Sequence, residues 1–262
     1  MDLIPAKEFA AKPRQLIRLE RVHLYLPFIG KRSLATGLIS KVGGTITRSG
    51  GSTHVNALRN VHLTLSSGDR IGLFGHNGAG KTSLMRVMAG IYEPSAGKCT
   101  INGRVLALFS STIGMSPANT GRTNIRQACA MFNVPKAQHA QFEDSVIEFS
   151  ELGEFIDLPV SSYSAGMRTR LGFSIISGLD PDILIVDEVL SAGDMAFALK
   201  AQERIMSMID RAHALVVASH SGGLMQMFCN RGVWLDRGEI RMDGAFQEVW
   251  DAYYASIAPA AA

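Results

Sequence analysis

Eight consecutive residues, Gly75-His76-Asn77-Gly78-Ala79-Gly80-Lys81-Thr82, have the composition and spacing of a loop that holds a polyphosphate. They follow the apolar run Ile71-Gly72-Leu73-Phe74 and lead through Ser83 into Leu84-Met85-Arg86-Val87-Met88, so the loop is expected where a buried strand turns into a helix. Gly75, Gly78 and Gly80 let the backbone turn its N–H groups inward, Lys81 supplies a point charge to the phosphates, and Thr82 offers a hydroxyl to Mg²⁺. A second group follows about a hundred residues later. Ile183-Leu184-Ile185-Val186 reads as a buried strand that ends on two carboxylates, Asp187 and Glu188. Paired with a phosphate loop, the first suits the metal and the second the polarisation of an attacking water. A third lies between them: in Ser162-Tyr163-Ser164-Ala165-Gly166-Met167-Arg168, Ser164 is an N-cap, Gly166 permits close approach, and the helix start makes an anion site. Its own half of the chain has no second phosphate to hold, which points to a neighbouring copy.

These groups must be positioned by a fold, and 262 residues suffice for one α/β domain with an inserted subdomain. Hydrophobic residues at 47% and charged ones at 19% give an ordinary globular balance. No apolar run reaches the length of roughly 18 residues needed to span a membrane, and Met1-Asp2-Leu3-Ile4-Pro5 does not read as a signal peptide. Cys99, Cys129 and Cys229 lack metal or disulfide spacing and read as small apolar fillers. The net charge of +3 is too small to announce a nucleic-acid partner. Lys7, Lys12, Arg14, Arg18, Arg21, Lys31, Arg32, Lys41 and Arg48 nevertheless give the first part of the chain a basic excess that could face anionic headgroups or an anionic substrate.

Along the chain, strands are expected over Leu16–Leu26 and Val61–Leu65. Between them, residues 27–54 form a basic, Gly/Ser-rich insertion holding the short amphipathic island Leu34–Ile39, a candidate interfacial helix. Beyond the loop helix, strands at Lys98–Ile101 and Arg104–Phe109 read as a hairpin joined through Asn102-Gly103. Helical periodicity then dominates over Ile125–Phe132, Ala137–Phe149 and Ala165–Ile176, which suggests an inserted helical subdomain. Strands at Ile183–Val186, Leu215–Ala218 and Val233–Leu235 alternate with helices at Ala196–Asp210, Leu224–Cys229 and Phe246–Ala255, the pattern of a mostly parallel sheet. The expected division is a core over 15–110 and 180–250 that includes an antiparallel β subdomain, a helical subdomain over 111–179, and a flexible tail at 256–262.

A phosphate loop, a helical insertion, a Ser-x-Gly helix start and four apolar residues before Asp-Glu together resemble the ATP-binding-cassette (ABC) family over roughly residues 55–245. The resemblance implies an α/β P-loop NTPase fold and a head-to-tail homodimer, with ATP between Gly75–Ser83 of one subunit and Ser164, Ala165, Gly166 and Met167 of the other. It also implies a catalytic Glu188 and His220, a dimer-contacting loop at Ser191-Ala192-Gly193-Asp194, and Mg²⁺ held by Thr82 and Asp187. The signature and two further positions depart from the family pattern. The signature reads Tyr163-Ser164-Ala165-Gly166-Met167 where the family usually has Leu-Ser-Gly-Gly-Gln, and the stretch that usually carries a glutamine puts Ser110 or Ser111 in its place. Where the family pattern has an aromatic to stack on adenine, before Ala57-Leu58, this sequence has only His54 nearby. The signature, Asp187–Asp194, the long insertion and Thr120-Gly121-Arg122-Thr123-Asn124-Ile125 are similar to ATPase subunits that export lipid-linked O-antigen, capsule or teichoic acid. That group implies an integral-membrane partner subunit, a place on the cytoplasmic face of a bacterial inner membrane, and no nucleic-acid partner. A cassette acting on another transport substrate, or a soluble one acting on nucleic acid or ribosomes, is the alternative.

Overall fold

The computed structural model describes residues 14–27, 45–49, 52–109, 114–187, 195–218 and 222–257. Two compact units share the chain, one of residues 1–107, 182–188 and 213–262 and the other of residues 108–181 and 189–212.

The first unit contains two sheets. Strands β1 (Gln15–Pro27), β2 (Thr45–Ser49), β3 (Ser52–Ser66) and β5 (Ala96–Ile101) form an antiparallel sheet in the order β2-β3-β1-β5. Leu16, Ile17, Leu19, Val22 and Leu24 bury one face of β1. Its departures from strict alternation coincide with register shifts against β3, near Arg21 at φ +50. Part of the 27–54 insertion therefore extends this sheet, because β2 pairs with β3 from Thr45↔Asn56 to Ser49↔Ser52. The island at residues 34–39 lies outside the described residues.

The second sheet has the order β10-β9-β4-β8-β7-β6, built from β4 (Arg70–Phe74), β6 (Val105–Leu108), β7 (Ile183–Asp187), β8 (Ala214–Ala218), β9 (Arg231–Asp236) and β10 (Glu239–Ala245). Strand β4 runs parallel to β8 and β9, and β7 parallel to β8. Ile71, Leu73, Ile183, Leu184, Ile185, Leu215 and Val216 are fully buried, the near-continuous apolar runs that covered parallel strands require. Helices α1 (Lys81–Met88), α6 (Gly222–Phe228) and α7 (Phe246–Ile257) belong to the same unit. Phe74 packs on Phe246, Trp250 and Tyr253 of α7 at ring distances of 5.4, 5.5 and 5.8 Å, which seats α7 under the end of β4. Arg231 joins the sheets by donating to the Thr64 carbonyl at 2.9 Å and pairing with Asp69 and Asp243.

The expected hairpin through Asn102-Gly103 does not form. Its two strands enter different sheets, because Asp182 captures the chain between them: its Oδ2 accepts from the Arg104 N–H at 2.7 Å, and its own N–H donates to the Arg104 carbonyl at 3.0 Å. Asp182→Ala is accordingly expected to lower stability by about 1–2 kcal/mol, the cost of leaving a backbone donor without its partner, read from urea denaturation.

The second unit contains α2 (Gly121–Met131), α3 (His139–Ser150), α4 (Ala165–Ser177) and α5 (Met195–Arg211). Thus α5 belongs to it alongside the helices of the 111–179 stretch. Phe149, Phe173 and Phe197 meet at ring distances of 5.7–6.0 Å and tie α3, α4 and α5 together. The Thr120–Asn124 segment has a local structural use at nearly every position. Thr120 caps α2 by accepting from the Thr123 N–H, and Gly121 leaves room for the Tyr163 hydroxyl. Arg122 pairs with Asp157 and Glu143, while the buried Asn124 bonds Ser116 at 2.7 and 3.1 Å and the Thr120 carbonyl at 3.0 Å. Hydrogen bonds from Arg126 and Arg122 hold the Glu143 carboxyl below the usual range against the opposing effect of burial. No helix among the described residues is long and apolar enough to cross a membrane.

Candidate functional site

Strand β4 delivers the chain at Phe74 into the glycine loop, and α1 begins at Lys81. Gly75, Gly78 and Gly80 all have positive φ, at +145°, +82° and +108°, so the loop adopts a course that side chains with a Cβ resist. At two of these positions space is also short. A Cβ on Gly75 would run into the Leu235 carbonyl, and one on Gly80 into the Ala57 carbonyl. The loop closes on itself through Ala79 N–H to the His76 carbonyl at 3.0 Å. From the β9–β10 turn, the Gly238 N–H donates to the Ala79 carbonyl at 2.8 Å. Lys81 Nζ lies inside the loop, donating to the carbonyls of Gly75 at 2.5 Å and His76 at 3.1 Å. An ammonium so placed can exchange carbonyls for phosphate oxygens without leaving the loop.

The carboxylate group arrives from a later segment of the same unit, residues 182–188. Asp187 ends β7, the strand beside β8, and its Oδ2 accepts from the Thr82 hydroxyl at 2.9 Å across 105 residues. The first turn of α1 and the carboxyl ends of β4 and β7 therefore converge, at the edge where open α/β sheets hold their ligands. One hydroxyl and one carboxylate within hydrogen-bonding distance, with phosphate oxygens available from a nucleotide, suit Mg²⁺. That ion takes few protein oxygens and keeps phosphate and water in the rest of its octahedron. Glu188 follows Asp187 and His220 follows the end of β8 by two residues, but both lie outside the described residues, as do Ser191, Ala192, Gly193, Asp194, Ser110 and Ser111.

In the other unit, Ser164 caps α4 by accepting from the Met167 N–H at 3.2 Å. Ser164, Ala165 and Gly166 are exposed and Met167 is half-buried, so this helix start faces solvent. A Cβ on Gly166 would meet nothing closer than the Ser164 hydroxyl at 3.9 Å. The fold leaves room there for any small side chain, so local packing does not explain the glycine.

His54 is half-buried on β3, opposite Pro27 and Thr47. Tyr25 was missed by reasoning from the sequence. It is 42% exposed on β1 opposite Asn56, the neighbour of Ala57, whose carbonyl approaches Gly80. The bulged register between β1 and β3 hides this proximity from a residue count. Also missed was the β9–β10 turn, whose Asp236 reaches His76 at 3.1 Å; the Asp236-Arg237-Gly238-Glu239 run is a turn signal that could have located it.

Comparison with known proteins agrees with this geometry. The O-antigen export system ATP-binding protein RfbB of Klebsiella pneumoniae is 37% identical over 202 residues, covering 77% of this chain and 82% of that protein. RfbB of Myxococcus xanthus is 38% identical across 79% of this chain, and the teichoic acids export ATP-binding protein TagH of Listeria monocytogenes 39% identical across 75%. The chain spans 48% and 58% of the lengths of those two relatives. Among solved structures, the ATP-binding cassette MJ0796, a post-hydrolysis dimer bound to ADP and Pi, superposes with a TM-score of 0.62 at 16% identity, covering 88% of this chain and 99% of that one. Residues 58–191 match the sequence profile of the ABC transporter family. With a profile match over half of the chain and a relative covered over most of its length, the chain belongs to the ABC transporter family.

Proposed function

We propose that this chain is the ATP-hydrolysing subunit of an exporter that moves a lipid-linked cell-surface polysaccharide, of O-antigen, capsule or teichoic acid type, across the cytoplasmic membrane. The observation that carries the ATPase reading is the 2.9 Å contact between Thr82 and Asp187, which brings a carboxylate suited to a metal to the start of the helix that follows the phosphate loop. Gly75, His76, Asn77, Gly78, Ala79, Gly80, Lys81, Thr82 and Ser83 hold the nucleotide phosphates through backbone N–H groups and the Lys81 ammonium. Thr82 and Asp187 would hold Mg²⁺, which when bound would supply positive charge to the nucleotide phosphates. Glu188 polarises the attacking water and accepts its proton, and His220 contacts the γ-phosphate. Tyr25 or His54 meets the adenine, and Ser110 or Ser111 takes the place of the missing glutamine.

The signature helix serves a second copy. Ser164, Ala165, Gly166 and Met167 close over the nucleotide of a partner subunit, and Ser191–Asp194 line the contact between the two. A glycine that the fold does not need is what a ligand pressed against the helix start requires. Gly166→Ala is therefore expected to raise the unfolding free energy by up to about 0.5–1 kcal/mol through better helix propensity. The same change should weaken ATP-dependent dimerisation, read from light scattering of the Glu188→Gln variant with and without ATP.

The export reading rests on the names carried by the relatives above and brings with it an integral-membrane partner, a lipid-linked glycan as substrate and a place on the cytoplasmic face of the membrane. No nucleic-acid partner is expected. Two measurements test the proposal. Purified protein is expected to release phosphate from ATP in a magnesium-dependent, saturable way, and its absence from the native host is expected to leave the lipid-linked polymer inside the cell. Turnover without any effect on surface polysaccharide would retain the ATPase and remove this substrate class.

A further inference from the structure

The end of β9 and the turn that leads to β10 meet the phosphate loop at three places. Gly238 donates its N–H to the Ala79 carbonyl at 2.8 Å, the Leu235 carbonyl closes the space at Gly75, and Asp236 Oδ1 lies 3.1 Å from His76 Nε2. The other ring nitrogen, Nδ1, lies 2.8 Å from the Asn77 carbonyl. A carboxylate and a carbonyl can only accept, so the ring satisfies both partners only with a hydrogen on each nitrogen, as the imidazolium. The neutral ring gives up one of the two. The second oxygen of Asp236 is held by Arg241, whose Nε and Nη2 lie at 3.2 and 3.1 Å. Burial opposes ionisation of Asp236, but the hydrogen bonds from His76 and Arg241 prevail and hold its carboxyl below the usual range.

We propose that His76 and Asp236 form a protonation-dependent latch that fixes the phosphate loop against the β9–β10 turn, with Asp236 as a positioning residue. The latch rests on the reading of this loop as a nucleotide site. When the ring is charged, the first turn of the loop is tied at its outer side to β9 while Ala79 is tied to Gly238, so the N–H groups that face the phosphates are held from both flanks. When the ring loses its proton, one of its two bonds is lost and the loop is free to shift. The other charged groups around the ring are Arg241 of β10, paired to the same carboxylate, and Lys81 of α1, whose Nζ lies 3.1 Å from the His76 carbonyl. Arg237 lies in the turn, and the Arg59–Glu239 pair flanks it at 3.1 Å. Arginine, lysine and glutamate side chains ordinarily keep their charges between about pH 5.5 and 8, the range within which an imidazole ordinarily changes its own. Nucleotide affinity is therefore set to fall as pH rises.

Binding of a fluorescent ATP analogue with magnesium, measured for the full chain at about pH 5.5 and 8, tests this. The affinity of the wild type is expected to fall about threefold to fivefold further over that interval than the affinity of His76→Gln, in line with the strength of a half-exposed ion pair. Glutamine still donates to Asp236 but does not titrate, so it should give a flat profile, and Asp236→Asn should flatten the profile too. Equal pH slopes in all three proteins would overturn the latch. If either variant fails to fold, nitrogen chemical shifts of the His76 ring in the wild type decide: hydrogen on both nitrogens at about pH 5.5, with one lost by about pH 8, supports the latch, and a ring whose protonation does not change over that range overturns it. A wild type that binds no nucleotide at either pH would overturn the phosphate-site reading itself, and the latch with it.

Discussion

Asp187→Ala is expected to lower ATP turnover about a hundred- to a thousandfold while the chain stays folded, the size of effect seen when one well-placed stabiliser of transition-state charge is removed. The fold should tolerate the change because Ile183, Leu184, Ile185 and Val186 bury β7, whereas Asp187 is half-buried at its exposed end. Among the described residues its carboxylate accepts from Thr82, and a threonine hydroxyl released at the mouth of a loop can turn to water. The expected change in stability is thus within about 1 kcal/mol. With the carboxylate gone, Thr82 would be left as the protein donor of the proposed magnesium pair, so nucleotide affinity should lose most of its dependence on magnesium. Glu188→Gln, one residue further on, should behave differently. The amide cannot accept a proton from water, so turnover falls, but the metal donors are intact and magnesium-dependent binding persists. Phosphate release, together with binding in the presence of magnesium or a chelator, separates the two. Wild-type turnover by Asp187→Ala would mean that the Thr82–Asp187 contact is only a structural hydrogen bond.

What was legible in the sequence was what is local. The glycine loop reads from its spacing because its strained φ values and the strand and helix around it are encoded within a score of residues. The same holds for β7, a run of apolar residues ending in two acids, and for α4, whose start is marked by Ser164. The fold class follows from these elements and their alternation. Legibility failed where a distant partner decides. Residues 98–109 carry every local sign of a hairpin, and Asp182, 78 residues away, diverts the second strand into the other sheet. Strand β10 was missed because none of its residues is fully buried, so the apolar signal that marks β4 and β8 is weak there. Tyr25 went unseen for a third reason: register shifts between β1 and β3 put it opposite Asn56, next to the residue whose carbonyl approaches Gly80, and no count along the sequence shows that pairing.

Gly75→Ala is expected to destabilise the fold by about 2–4 kcal/mol and to abolish detectable nucleotide binding. Two effects add at this position. The residue sits at φ +145°, where an L side chain is strained, and its Cβ would meet the Leu235 carbonyl and, at 2.9 Å, the Ala79 Cβ. Neither neighbour is the far end of a flexible side chain. Leu235 is fully buried within β9, and Ala79 is held by the Gly238 N–H, so the loop itself must move. Gly68→Ala separates strain from collision. Gly68 also has positive φ, +92°, but nothing lies within 4 Å of a Cβ built there, so it should cost only the backbone term of about 1–2 kcal/mol. Urea denaturation of both variants and nucleotide binding by both are the measurements. If Gly75→Ala loses no more stability than Gly68→Ala, the loop has slack against β9. The close fit to Leu235 would then have no part in aiming its N–H groups. The larger loss, together with lost binding, would mean that β9 sets both the position of the loop and its capacity to hold phosphate, because the backbone that crowds Gly75 is continuous with the turn that grips Ala79.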